Sequence, residues 1–468
     1  MARTPVVLAV LSLVVGACPK ASDGPALRPC LLPGVAREAR CLELTRPENP
    51  DAPNGRQLSI HAAVVPATGI RPLRDAIFVF AGGPGQSATE IAGSVMPLFA
   101  GLEARRDVVF VDQRGTGRSA PLSCPDETRG KRPLPEVLDE AAGAARLDAC
   151  RLELTDAGVD LAQYATWIAV RDVEAVRERL GYGPINLWGA SYGTRAALEF
   201  ARQFPGSVRT VVLDGVAPAS TPLPVAFAFD TDDALASLSA RVDGGLDQAL
   251  ALVLTADGGL HRLVDPYFGD EVEVSLSRTQ RLGLVRGPLY SPSLAAALPV
   301  ALERGARGDL QPRVGLGAGL SAGRLSTGMH FSVLCAEDVP RISDEHRRAV
   351  QPTRAGAAFI DEYERACRAW PRRPVPEDFF APPTFAAPTL LLSGGVDPAT
   401  PPRHAREAAQ RLPNALHVVA PALGHGVSTA GCAPRLITQL FMKGALDGLD
   451  GGCLDALPPP TLFTEPRP

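Results

Sequence analysis

The sequence is poor in several things, and each shortage closes off a class of function. Lysine and arginine together number 47 against 51 aspartates and glutamates, a formal net charge of -4. There is no basic surplus to neutralise a phosphate backbone, so no nucleic-acid partner is expected. No C-x-x-C pair occurs, and cysteines and histidines approach only as isolated pairs, as where Cys432 follows His425 by seven residues. That spacing does not suit a zinc site, and no metal is expected. Phosphate loops are missing too: neither G-K-[ST] nor G-x-G-x-x-G is present, and no cofactor is implied. Past the N-terminus no stretch is apolar enough to cross a bilayer. With only seven histidines in the chain, the search for a catalytic base is short.

What is present reads as globular: 468 residues, 46% hydrophobic and 21% charged, enough for one large domain with an insertion or for two or three ordinary ones. The start, MARTPVVLAVLSLVVGAC, has an arginine, an apolar run from Pro5 to Val15 and small residues before Cys18, the pattern of a secretory signal. Val15-Gly16-Ala17-Cys18 also resembles a bacterial lipobox, in which Cys18 would carry lipid; cleavage of an ordinary signal peptide nearby is the alternative. Either places the protein in the cell envelope or outside the cell. Setting Cys18 aside, eight of the nine cysteines remain, as expected of an oxidising compartment. They fall into neighbouring pairs: Cys30 with Cys41, Cys124 with Cys150, Cys335 with Cys367, and Cys432 with Cys453. Eight cysteines allow 105 pairings, so this scheme is an expectation.

Short apolar runs recur: AIFVFA (Ala76 to Ala81), VVFVD (Val108 to Asp112), INLWG (Ile185 to Gly189), TVVLDG (Thr210 to Gly215), TLLLSG (Thr389 to Gly394) and LHVVA (Leu416 to Ala420). Continuous rather than alternating hydrophobicity predicts strands of a parallel sheet covered on both faces. Upstream, LSIHAAVV alternates poorly and is read as an edge strand. Helical spacing appears between the runs, in Trp167 to Gly181, Thr194 to Gly206 and Arg406 to Leu412. The alternation predicts an α/β fold with a mostly parallel sheet flanked by helices. From about residue 220 to 380 the rhythm gives way to helical segments without a strong strand run. The expected organisation is a signal segment over 1–18, the first part of the core over 19–219, an inserted helical lid over 220–383, and the second part of the core with a C-terminal tail over 384–468.

One strand-to-helix junction carries the sequence GASYG, Gly189 to Gly193, which fits G-x-S-x-G. Small residues are needed there because a nucleophile on a tight, strained turn leaves no room for larger neighbours. The turn would lift Ser191 Oγ to a helix N-terminus, where negative charge is favoured. AGGPGQSA after the AIFVFA strand can turn its amides toward a carbonyl oxygen, so the expected oxyanion hole uses the N–H groups of Gly83 and Tyr192. Of the seven histidines, His425 in PALGHGVS is placed after the last strand and is the expected base; His417 lies within a strand and His404 at a helix start. Asp397, three residues after the TLLLSG strand, is the expected acid, with Asp214 as competitor. The order Ser191, Asp397, His425 completes a triad.

These segments, with FVDQRGTGRSAPLSC (Phe110 to Cys124) and LLLSGGVDPATPP (Leu390 to Pro402), resemble the α/β-hydrolases of the proline iminopeptidase and tripeptidyl aminopeptidase-like group, bacterial and exported. One departure is Ala81, where many iminopeptidases carry histidine. Asp112 and Arg114 of DQRGTGRS are read as braces for the loop. The resemblance implies a serine aminopeptidase that releases one to three residues from peptide N-termini. It favours Glu337, in SVLCAEDVP, as the anchor for the substrate's α-ammonium, held rigid by a Cys335–Cys367 disulfide. A carboxylesterase on small or lipid esters with the same triad is the alternative, and a non-catalytic envelope binding protein a third reading. Peptide is the expected partner.

Overall fold

The structure, a computed structural model, describes residues 27–124, 132–255, 259–318 and 325–464. The expected signal segment and Cys18 lie outside the described residues.

Nine strands form one sheet, β1 (Arg28–Cys30), β2 (Ala39–Pro47), β3 (Gln57–Val65), β4 (Ile77–Phe80), β5 (Val108–Val111), β6 (Ile185–Ala190), β7 (Val208–Asp214), β10 (Thr389–Gly394) and β11 (Ala415–Ala420), in the order β1-β2-β3-β5-β4-β6-β7-β10-β11. From β5 to β11 every neighbouring pair is parallel, while β1, β2 and β3 are joined antiparallel to one another and β3 antiparallel to β5. The six apolar runs all became parallel strands; five are buried on both faces, as continuous hydrophobicity requires, and β11, at the sheet edge, is half-buried. LSIHAAVV is not an edge: β3 lies between β2 and β5. Its Ile60, Ala62 and Val64 enter one core layer while Ala63 and Val65 enter the other, which is why the run does not alternate.

Helices Thr166–Leu180, Tyr192–Gln203 and Pro402–Ala409 cover one face of the sheet, and Ala433–Lys443 packs on the other. Helix Thr166–Leu180 stops at Gly181, whose φ of 73° is the left-handed cap conformation that glycine adopts at low cost. Between β7 and β10 the chain is mainly helical, with Leu223–Ser239, Arg278–Leu289, Thr327–Glu337 and Ala358–Cys367 among its longer helices. It also holds an antiparallel hairpin, β8 (His261–Val264) with β9 (Glu271–Val274), which corrects the purely helical expectation. Those strands read HRLV and EVEV, too short and too charged to stand out as apolar runs.

The structure pairs Cys30 with Cys41, Cys124 with Cys150, Cys335 with Cys367 and Cys432 with Cys453. All four are the neighbouring pairs expected. No helix of the described residues is long and apolar enough to cross a membrane.

Candidate active site

Every expected site residue except Glu337 follows a parallel strand, at the sheet end where α/β folds collect ligands. β4 leads into Gly83, β6 into Ser191, β10 into Asp397 and β11 into His425. Ser191 has φ 55° and ψ -128°, a left-handed conformation for a non-glycine residue, and the helix Tyr192–Gln203 begins immediately after it. The glycines on either side are required by space. A Cβ on Gly189 would lie 2.5 Å from the Gly193 carbonyl oxygen, and one on Gly193 would lie 2.1 Å from that of Phe80. β6 and its helix therefore approach β4 more closely than any side chain permits, and that approach holds Ser191 on its turn.

Gly82 lies against Ser191: a Cβ on Gly82 would come within 3.3 Å of the serine Cβ. The next residue, Gly83, is exposed and has φ 109°. Gly83 and Tyr192, the two residues whose amides are the expected oxyanion donors, thus lie on either side of Ser191's turn: one follows Gly82, the other opens the helix. The loop is roofed by the segment that opens helix Thr327–Glu337. Gln86 bridges to Leu325, Ser326 N–H donates to Gly85 O at 2.9 Å, and His330 Nδ1 lies 3.2 Å from Pro84 O.

Asp397 is buried and approaches His425 Nδ1 with Oδ2 at 2.8 Å. Its Oδ1 accepts the amides of Ala399 and Thr400 at 2.8 and 3.0 Å, and the Thr400 hydroxyl donates to Oδ2 at 2.7 Å. Burial alone would raise this carboxyl, but the charge and hydrogen bond of His425 and the donors from Thr400 outweigh it and hold it at about 2. Burial pulls the His425 imidazole down, and the Asp397 carboxylate, with Asp214 behind it, raises it above the ordinary histidine range. A carboxylate only accepts, so Nδ1 carries the proton and Nε2 is the basic nitrogen. Ser191 and His425 meet around one turn: Ser191 N–H donates to Asp214 O at 2.8 Å, and a Cβ on the following Gly215 would lie 3.4 Å from His425 Cε1. Among the described residues no hydrogen bond joins Ser191 Oγ to the imidazole; in unliganded hydrolases this contact is often loose and tightens with substrate.

Asp214, the competing acid, is otherwise engaged. Its carboxylate accepts the amides of Val427 and Ser428 at 2.7 to 3.0 Å and so fixes the loop that carries His425. Asp112 receives Ser87, Thr89 and the Arg118 amide, tying DQRGTGRS to the loop of Gly83. Arg114 forms a two-bonded pair with Asp172 at 2.7 and 3.0 Å. Asp112 braces its loop locally as expected, whereas Arg114 bonds to nothing in its own loop and ties it instead to Asp172 and to the carbonyls of Pro47, Glu48 and Gln163.

Glu337 is the exception. Its side chain is fully buried, and its oxygens accept Thr166 N–H at 2.7 Å, Thr166 Oγ1 at 2.9 Å and Arg195 Nη1 at 3.3 Å. Asp338 takes the rest of the Arg195 guanidinium, at 2.9 and 3.1 Å. A carboxylate with no exposed surface cannot receive a substrate ammonium, so the expectation of an amine anchor at Glu337 is corrected. The pair instead joins helix Thr327–Glu337 to the helix that follows Ser191. Sequence reasoning missed Thr400 and Tyr290, whose carbonyl accepts His425 N–H at 3.0 Å and whose ring meets the imidazole edge-on at 5.1 Å. The D-x-x-T spacing from Asp397 to Thr400 was a usable signal for the first, since such threonines bond back to the aspartate. Nothing local marks Tyr290.

A mostly parallel sheet with a strained serine turn after β6 and an Asp–His pair after β10 and β11 is the arrangement of the α/β-hydrolase fold. Residues 75–262 match the family model described as alpha/beta hydrolase fold, and residues 351–453 match the one described as TAP-like protein. Serine protease Hip1 of Mycobacterium tuberculosis is 28% identical over 426 residues, covering 81% of this chain and 80% of that protein. Carboxylesterase B of the same organism is 29% identical over 416 residues, covering 80% and 78%. Tripeptidyl aminopeptidase of Streptomyces lividans is 30% identical over 194 residues, covering 39% of this chain and 36% of that protein. The chain has the α/β-hydrolase fold, and its residues 351–453 are similar to the TAP-like model.

Proposed function

We propose that the protein is an exported serine hydrolase that cleaves short pieces, one to three residues, from the N-termini of peptides through an acyl-enzyme. The observation that carries the hydrolase chemistry is the Asp397–His425 pair at 2.8 Å, set at the same sheet end as the strained Ser191. Ser191 Oγ attacks the scissile carbonyl carbon while His425 Nε2 takes its proton, and Asp397 holds the imidazole in the Nδ1–H tautomer and offsets the imidazolium charge. The amides of Gly83 and Tyr192 receive the developing oxyanion; a donor of this kind contributes roughly 3 to 4 kcal/mol in measured cases. His425 returns the proton to the leaving amine. Water, activated by the same nitrogen, then releases the acyl group and restores Ser191.

The peptide reading draws on the relatives named as a serine protease and a tripeptidyl aminopeptidase. A cleft of about 1220 Å³ lies among helices Glu140–Asp156, Arg278–Leu289, Thr327–Glu337 and Ala358–Cys367, over the segment that roofs the oxyanion loop. Its carboxylates include Glu362, an exposed residue that partial desolvation by the cleft walls and the charge of Glu140 raise above the ordinary range. Unlike Glu337, Glu362 is solvent-accessible, and it takes the ammonium-binding role that burial denies Glu337. The likeness to carboxylesterase B favours the second reading, an esterase with the same triad.

Aminoacyl and tripeptidyl arylamides, their N-acetylated forms and simple esters, assayed side by side, separate the two. The peptidase reading expects hydrolysis of the free-amine arylamides, a large loss on acetylation, and loss of that discrimination in Glu362→Gln. Indifference to acetylation, with esters preferred, would leave only the esterase.

A further inference from the structure

A guanidinium lies one ring away from His425 and the triad has no use for it. Arg286, in helix Arg278–Leu289, stacks over Phe227 at 4.3 Å, Tyr290 at 5.0 Å and Phe359 at 5.6 Å from the ring centroids. Tyr290 is the residue whose ring meets the imidazole. Aromatic faces can hold the flat sides of a guanidinium without accepting all of its in-plane N–H donors; the Tyr290 side chain takes one share of them. The Nε is buried and has no hydrogen-bond partner, and Nη2 reaches the Pro398 carbonyl, at 3.5 Å, beside Asp397. Glu362 is near enough to feel its charge but makes no ion pair with it among the described residues. The position also has a catalytic cost, since the positive charge opposes the imidazolium that His425 must become. An anion bound to Arg286 would cancel that cost.

We infer that Arg286 is an anion subsite beside the Asp397–His425 pair, built to take a carboxylate of the substrate within one or two residues of the scissile bond. The inference rests on the hydrolase reading of Ser191 and adds the charge of the preferred substrate. The clamped, planar fork suits a two-oxygen acceptor bonded through parallel N–H groups. One ring's separation from the imidazole is the span of one to two extended residues. The carboxylate can come from an aspartate or glutamate side chain or from the C-terminus of a short peptide.

The test uses the full chain with Ser191→Ala, so that binding is read without turnover. Short peptides in matched pairs, glutamate against glutamine at each position and C-terminal acid against amide, are titrated by calorimetry. One class of pair is expected to favour its anionic member by about tenfold or more, and which pair it is identifies the source of the carboxylate. Arg286→Met in the same background should bring that ratio to about one. Arg286→Lys, which retains the charge without the fork, should give an intermediate ratio, and thermal melts report whether each variant is folded. Equal affinity within every pair, or a preference that survives both substitutions, would overturn the inference. Fluorophosphonate labelling of the unsubstituted protein reports separately on the hydrolase reading, and its failure would leave the affinity ratios readable.

Discussion

Replacing Glu337 by glutamine should stabilise the protein at high pH and change little at low pH. One buried guanidinium, Arg195, faces two buried carboxyls, Glu337 and Asp338. Asp338 holds it through two bonds, so Glu337 is the group left with its charge uncompensated. Burial raises Glu337 and Asp338 adds to the rise; Arg195 and the Thr166 donors counter only part of it, and the carboxyl settles at about 7. An unfolded glutamate ionises near 4.3, so the folded state retains a proton that the unfolded chain has already lost. Stability should therefore fall as pH rises from about 4.5 to about 7, by roughly 3 kcal/mol in all. Glutamine has no proton to lose. Its Oε1 can accept Thr166 N–H as the carboxyl does, and its Nε2 can donate to Thr166 Oγ1, forfeiting only the 3.3 Å contact to Arg195. Urea unfolding followed by tryptophan fluorescence should find the two proteins within about 1 kcal/mol at pH 5. At pH 8 the variant should be ahead by about 2 to 3 kcal/mol. Parallel curves, or a variant about 3 to 5 kcal/mol weaker at pH 8, the loss expected when a needed ion pair is broken, would refute the assignment of the charge to Asp338.

Gly193→Ala would drive a Cβ to 2.1 Å from the Phe80 carbonyl oxygen, so β6 and its helix must part; labelling of Ser191 by a fluorophosphonate should be lost even in preparations that remain soluble. Thr400→Val removes the hydroxyl that donates to Asp397 at 2.7 Å and lies 3.0 Å from His425 Nδ1. Steady-state kinetics should show kcat lower by about tenfold, the value of a hydrogen bond to a charged group, with KM little changed. Because His425 is raised and must be neutral to act, kcat/KM should fall as pH drops through a value above the ordinary 6.5. In Asp397→Asn, kcat should fall by about 10⁴ and the acid limb of the residual activity should shift downward; an unmoved limb would assign it to another group.

The sheet was legible because burial on both faces leaves a simple trace in the sequence, and VVFV or TLLL can be little else. The candidate site was legible because Ser191, Asp397 and His425 each follow a strand, so that order and context substituted for distance. β3 was misjudged because the cue for an edge, poor alternation, is the same cue that two covered faces produce. β8 and β9 escaped because each is only four residues long, too short for HRLV to show a period or for the alternation of EVEV to be decisive. Glu337 shows a different limit: a carboxylate's neighbours decide whether it binds a ligand or a scaffold cation, and Arg195 and Thr166 lie 142 and 171 residues away along the chain. Arg286 was invisible for the same reason, since its aromatic partners come from three separate segments of the chain.

Whether Ser191 is the attacking group is read most directly by covalent labelling. The folded, full-length protein is treated with a fluorophosphonate, digested, and the modified peptide identified by mass spectrometry, with Ser191→Ala and His425→Ala as controls. One adduct is expected, on Ser191 in LWGASYGT, absent from Ser191→Ala and strongly slowed in His425→Ala. No adduct on folded protein, or an adduct on another residue that forms equally fast in both variants, would contradict the assignment of Ser191 and His425.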